Sequence, residues 1–333
     1  MTPATPDTGA DLRLELMGTR IRILVGPAAR PGMPGPGVAA ATVERFLRAY
    51  DRSLSRFKPD SELCALNADP RPVVPASDLL RSAISAALQA AELSGGLVDP
   101  ALLDDLVAVG YRDHWDRTRR LDVRDAIETL TVPRRAASPN PASRRREISI
   151  DDRAGTISRP PGLRLDTGGT GKGHAADLGA TLLDGYAHWA VDCGGDVRVG
   201  GDAGAQRRVD VEHPFTGDLV SGFTVRDGAI ATSGLSSRIW RGPDGSVRHH
   251  LLDPATGEPA YTGLIAVTAL APTGVEAEAL AKTALLSGPT GARDVLSRHG
   301  GIAFDEAGRI ERFGAAAAGR PVVRLRMPDR RAA

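Results

Sequence analysis

The chain has 333 residues, enough for one large or two ordinary domains with a sizeable core. Apolar residues make up 41% and charged residues 25%, the balance of a globular protein, and a formal net charge of +1 lacks the basic excess of a general nucleic-acid binder. Two cysteines, Cys64 and Cys193, cannot form a disulfide framework, and no CxxC pair points to zinc.

Residues 1–10 are polar and read as a disordered N-terminus. The first twenty residues, MTPATPDTGADLRLELMGTR, show no basic and apolar regions of an export signal, and no apolar run approaches the roughly 20 residues of a membrane span. The expectation is a cytoplasmic protein with no membrane insertion. Residues 12–25 alternate apolar and polar on both sides of Met17-Gly18-Thr19, as two strands or as one strand broken at Gly18. A Pro/Gly loop follows, then a helix that Thr42 can cap and that runs to about Leu54. Ser77 can cap a second helix, which stops at Gly95-Gly96.

Between about 112 and 148 the pattern degrades into an insert whose stretch RRAASPNPASRRR has nothing to bury and reads as a solvated linker. A hairpin turning at Ala154-Gly155 comes next. Strands and helices then mix without regular βαβ alternation, which argues for an α+β fold. Residues 11–315 read as one catalytic domain and 316–333 as a tail.

Arg164–Gly185, RLDTGGTGKGHAADLGATLLDG, sets the functional question. A strand-like run, Leu163–Leu165, leads into a glycine turn and a helix, an arrangement with free N–H groups at the positive end of the helix dipole. Lys172 adds a point charge. The stretch is not a nucleotide P-loop, because Asp166 stands where that motif needs glycine and Gly173 where it needs Ser or Thr. An ordinary strand-to-helix turn would use the same glycines. Downstream, Asp196 follows the Gly194-Gly195 turn, and Thr232 and Ser233 follow a strand. Asp253-Pro-Ala-Thr-Gly257 is a turn by its own chemistry, with His250 three residues before it as a possible proton-transfer partner of Asp253. Glu278 and Lys282 are four apart on one helix face, the spacing of an ordinary surface ion pair.

The order of these blocks, from Met17-Gly18-Thr19 through LSRFKPDSELCALN, GGLVDPALLDDLVAVGY, LDTGGTGKGHAAD, VDCGGDVRVGG, VEHP, IATSG, HHLLDPATGEP and AEALAKTALLSG, closely resembles the ApbE-like family. The resemblance spans about residues 12–310. It implies a T-fold-related α+β architecture of mixed sheets and helices, with a ligand cleft between two subdomains. It also implies an FAD:protein FMN transferase, which moves FMN from FAD to a threonine of a target flavoprotein through a phosphoester and releases AMP. The alternatives are an FAD pyrophosphatase and a non-catalytic FAD-binding protein.

Carried over by motif, Met17, Phe57, Leu97, Val98, Asp99, Asp166, Lys172, Thr232, Ser233 and Leu251 would line the FAD site, with Tyr111 a further stacking candidate. His250 would stand at the reacting phosphate, oriented by Asp253. Relatives hold Mg2+ with an aspartate, a threonine four residues later and a glycine-loop carbonyl. Here those positions are Glu278, Lys282 and Gly169. A protonated lysine has no lone pair for a hard cation. Either the Lys282 ammonium takes the place of the cation, or Mg2+ binds through Glu278 and fewer protein ligands.

Overall fold

The computed structural model describes residues 9–114 and 120–314. Eight strands form one antiparallel sheet whose spatial order follows chain order: Ala10–Leu16, Thr19–Val25, Trp189–Cys193, Val197–Gly200, Gly228–Gly234, Leu264–Ala271, Gly301–Asp305 and Ile310–Phe313. The α+β class inferred from the sequence holds. The first two strands are separate and meet in a two-residue turn, Leu16 pairing with Thr19. Met17 and Gly18 both have positive φ (54° and 69°), the pattern that suits the right-handed twist of a tight hairpin. Ile21, Ile23 and Val25 point inward between exposed Arg20 and Arg22. Each such buried side chain contributes about 1.5–3 kcal/mol.

The helices are α1 (Pro36–Leu54), α2 (Glu62–Ala68), α3 (Asp78–Leu93), α4 (Leu103–Ala108), α5 (Val123–Glu128), α6 (Gly171–Thr181), α7 (Gly274–Leu286) and α8 (Gly288–His299). Helices α1, α6, α7 and α8 pack on the sheet. A separate hairpin, Arg207–Glu212 with Leu219–Val225, shares a second core with the sheet through Phe223 and Val225. Strand Leu264–Ala271 is buried along its whole length because it serves both cores: Val267 and Ala269 join α7 and α8, while Ala266 and Leu270 join the hairpin. Among the described residues no helix is long and apolar enough to cross a membrane.

Several boundaries differ from the sequence reading. The first strand starts at Ala10, inside the stretch read as disordered; residues 1–8 and the tail 316–333 lie outside the described residues. Helix α1 begins at Pro36 rather than after Thr42, because proline fits the first helical position, where its missing N–H is no loss. Thr42 sits inside the helix and its hydroxyl donates to the Val38 carbonyl (2.9 Å). Ser77 does cap α3, accepting from Leu80 N–H (3.2 Å).

The run Leu163–Leu165 forms no ladder. Instead the Asn67 side-chain amide donates to the Leu165 carbonyl (2.8 Å) and accepts from its N–H (2.7 Å), as a strand neighbour would. The insert is no free linker either. Arg135 and Ala137 donate backbone hydrogen bonds to Tyr261 and Leu286, and Arg145 is buried against Asp99 (3.1 Å).

Candidate active site

Helices α6 and α7 meet at their N-termini, and glycine makes the crossing possible. A Cβ built on Gly173 would overlap the Gly274 carbonyl, and one built on Gly274 would overlap that of Gly173. The two helix starts cap each other. Asp177 of α6 accepts from Gly274 N–H (2.7 Å) and Val275 N–H (3.0 Å), while Glu278 of α7 accepts from Gly173 N–H (2.9 Å). The other loop glycines are not explained this way. Gly169 and Gly171 have ordinary backbone angles, and a Cβ on either would have room. Their bare backbone faces a cleft of about 1740 Å³ that the α6 start, the sheet end and the hairpin Arg207–Val225 enclose.

The cleft floor is a cluster of buried charge. Lys172 Nζ lies 2.6 Å from Asp196 Oδ2, and Asp196 Oδ1 accepts from Thr232 N–H (3.2 Å). Lys282 Nζ lies 2.9 Å from Glu278 Oε1, so the pair that sequence spacing suggests for a surface is instead sunk, with Glu278 1% and Lys282 12% exposed at the side chain. Arg238 also faces the cleft and has no acid partner among the described residues. With Asp192 also beside Lys172, three cations stand against three carboxylates, and the donors that Lys172, Lys282 and Arg238 leave open make the floor a setting for an anionic ligand.

Burial works against the Glu278 charge, but Lys282 and Lys172 outweigh it and hold its carboxyl below the usual range. Burial likewise disfavours the Lys172 ammonium, yet Asp196 and Glu278 keep it above the ordinary lysine value. For Asp196 burial wins over Lys172, and its carboxyl is raised.

His250 lies beside this floor. Burial, then Arg238, His249 and Lys282, push its ring well below the ordinary histidine value, so it is neutral at pH 7. Its Nδ1 lies 3.4 Å from the Arg238 carbonyl, which can only accept; the proton therefore belongs on Nδ1 and the lone pair on Nε2. The aromatic wall runs from Phe57 to Tyr111 (5.5 Å between centroids) and on to His250 (6.4 Å). The Arg56 guanidinium lies over both Phe57 and Tyr111 (4.2 and 4.4 Å) and 3.6 Å from Asp166.

All the residues picked out by motif line this one cleft except Asp253. The suggested pairing of His250 with Asp253 is absent, because the Asp253 carboxylate accepts from Ser138 N–H (3.0 Å) and Ala255 N–H (3.1 Å). It clamps the insert to the turn. Asp99 is in the wall, but its carboxylate is committed to Ala101 N–H, Ser143 and Arg145. Thr232 and Ser233 end a strand rather than follow one, and their side chains alternate. Ser233 shares the face of Ala229 and Ala231, which pack on α7, and the Thr232 hydroxyl pairs with that of Thr268 (2.8 Å).

Sequence reasoning passed over Arg56, Arg238 and the role of Asp196. Arg56 adjoins Phe57 in the SRFKPD block, a signal that was available. Asp196 stood out after its glycine turn but its pairing with Lys172 did not, and Arg238 carried no signal, since only the fold brings these residues to Lys172 and His250.

The residues at the helix start do not fit a divalent cation. Glu278 spends one oxygen on Lys282 and the other on Gly173 N–H. No group of three His, Cys, Asp or Glu that could hold a metal occurs among the described residues. Lys282 supplies donors only.

These features define an α+β protein with a deep cleft, a floor that offers cationic donors and a neutral histidine beside it. The ApbE family model matches residues 17–304. A Treponema pallidum protein named FAD:protein FMN transferase is 32% identical over 296 residues, 81% of this chain and 78% of that relative. The crystal structure of the ApbE protein of Thermotoga maritima superposes with a TM-score of 0.75 at 25% identity, covering 93% of this chain and 99% of that one. The apo flavinyl transferase ApbE of Pseudomonas stutzeri shares the fold (TM-score 0.69, 23% identity, 92% and 95% covered). The chain belongs to the ApbE family.

Proposed function

We propose that this protein is an FAD:protein FMN transferase whose acceptor is a threonine of a target flavoprotein. The observation that carries this reading is the meeting of Lys172, Lys282, Arg238 and a neutral His250 around one cleft floor. A pyrophosphate is the dianion such a floor suits, and the N–H groups of Gly171 and Lys172, free at the α6 start, add to it. Asp166 and the Phe57–Tyr111 wall contribute the contacts for the rest of the dinucleotide.

In the transfer, the acceptor threonine Oγ attacks the phosphorus on the FMN side of the anhydride, the P–O bond to the AMP phosphate breaks, and AMP leaves. The threonine proton passes to His250 Nε2, which the Arg238 carbonyl orients through Nδ1–H. Phosphoryl transfer rests on positioning and charge neutralisation, which the ammonium groups supply. No step is routed through Asp253.

The test is AMP release from FAD with a threonine-containing acceptor domain, followed by intact mass of that domain. Transfer adds the mass of FMN less water to the acceptor, and His250→Gln lowers the rate about 10³-fold while FAD affinity changes little. AMP and free FMN without a labelled acceptor would instead identify a hydrolase.

A further inference from the structure

We infer that Lys282 is the built-in cation of the transfer site, so that the chain handles the pyrophosphate without a divalent metal. The inference rests on the transferase reading for its chemistry, but its geometry stands alone. Glu278 and Lys282 lie one helical turn apart on α7, with Nζ 2.9 Å from Oε1. The other Glu278 oxygen is tied to Gly173 N–H at the start of α6, which fixes the carboxylate and removes it from bidentate ligation. A divalent ion at Glu278 would sit against a buried ammonium, with neither lone pair nor charge to welcome it. Thr283, the next side chain along, is no substitute ligand, because one further residue turns it about 100° around the helix from the face of Glu278 and Lys282, and its hydroxyl is turned back to the Ala279 carbonyl (2.7 Å).

The ammonium does what a cation there would do. Lys282 has three N–H donors and spends one on Glu278, and Lys282 lines the cleft. Its remaining donors are free for a non-bridging phosphate oxygen. Lys172, paired with Asp196, offers a second ammonium on the same floor. Asp196 and Glu278 keep Lys172 charged in its buried place, and the open donors of both lysines face the ligand side.

Two measurements test this on the full-length protein. The first is Mn2+ titration followed by the EPR signal of the free ion, with and without FAD. The wild type is expected to take up no protein-bound Mn2+ at sub-millimolar concentration, and Lys282→Thr, which restores an oxygen ligand beside Glu278, is expected to gain one site. A stoichiometric site in the wild type that Glu278→Gln abolishes would overturn the inference. The second is AMP release with acceptor in the presence of EDTA or of Mg2+.

Wild-type rates within twofold of each other support Lys282 as the cation, and a chelator-sensitive rate restored by Mg2+ overturns it. Lys282→Gln is expected to lower kcat/KM about 100-fold at any Mg2+ level, and Lys282→Arg to recover part of the loss. Thermal melts of the variants separate this from misfolding. If the wild type binds FAD but releases no AMP under either condition, the transferase reading fails, and the Mn2+ titration still decides the role of Lys282.

Discussion

Two of the places where this molecule buries cations are built differently. Arg159, 2% exposed, is caged by carbonyls: Nη1 donates to Leu163 (2.9 Å), Nη2 to Asp69 (2.7 Å) and to Leu66. No carboxylate side chain pairs with it among the described residues, and the guanidinium ties residues 66–69 to 160–163 without reaching the cleft. Lys172 and Lys282 are paired with buried carboxylates and keep donors open to the cleft. A cation whose two terminal nitrogens donate only to backbone oxygens holds loops in place. One balanced by a carboxylate, with donors left over, stands ready for an anion from outside.

The sharpest separation comes from removing each cation. Arg159→Met leaves several buried carbonyls unpaired and is expected to destabilise the fold by about 3–5 kcal/mol, read as the midpoint of urea unfolding. The enzyme that remains folded should bind FAD as the wild type does. The floor pair should behave in the opposite way. In the double variant Lys172→Gln/Asp196→Asn both charges go while hydrogen bonding is kept, so stability should stay within about 1 kcal/mol of wild type. FAD affinity, by flavin fluorescence quenching, should still fall at least about tenfold. Recovery of wild-type FAD affinity in the double variant would erase the distinction.

Acid probes the histidines behind the floor. His174 is held between the Tyr50 hydroxyl (3.0 Å) and Ser82 (2.9 Å), and burial lowers its pKa to about 4; burial takes His249 to about 3. The native state refuses protons that the unfolded chain binds at an ordinary pKa of about 6.5. The stabilisation is full above pH 6.5 and is lost as pH falls toward 4, by about 3 kcal/mol for His174. Unfolding free energies between pH 7 and pH 4.5 give the slope, and His174→Gln should flatten it.

Gly173→Ala should force α6 and α7 apart at their crossing, with a loss of about 2 kcal/mol and weaker FAD binding, because Glu278 loses its N–H donor. A crystal structure or melt of the variant checks the first part. The smallest effect is expected from Asp253→Asn, whose remaining oxygen still accepts from Ser138 and Ala255. AMP release should stay within about threefold of wild type, whereas a loss comparable to that of His250→Gln would return Asp253 to the proton-transfer step.

The sequence by itself determined the α+β class, the break at Met17-Gly18, the cap at Ser77 and a set of candidates that all line the cleft except Asp253, because these depend on local pattern or on blocks that survive intact in order. The resemblance also implied that Lys282 stands at a position where relatives carry an oxygen ligand. The start of α1 was legible only through Pro36, and the anchoring of the basic insert was not legible at all, since a solvated loop and a strap bonded to Asp99 and Asp253 have the same composition. Tertiary structure alone decided that Glu278–Lys282 is buried rather than on the surface, that Asp196 meets Lys172, and that His250 answers to the Arg238 carbonyl instead of Asp253. The physical reason is range: periodicity and turn chemistry act over a few residues, whereas the burial of a pair such as Glu278–Lys282 and the meeting of Lys172 with Asp196 depend on distant segments that pack around them.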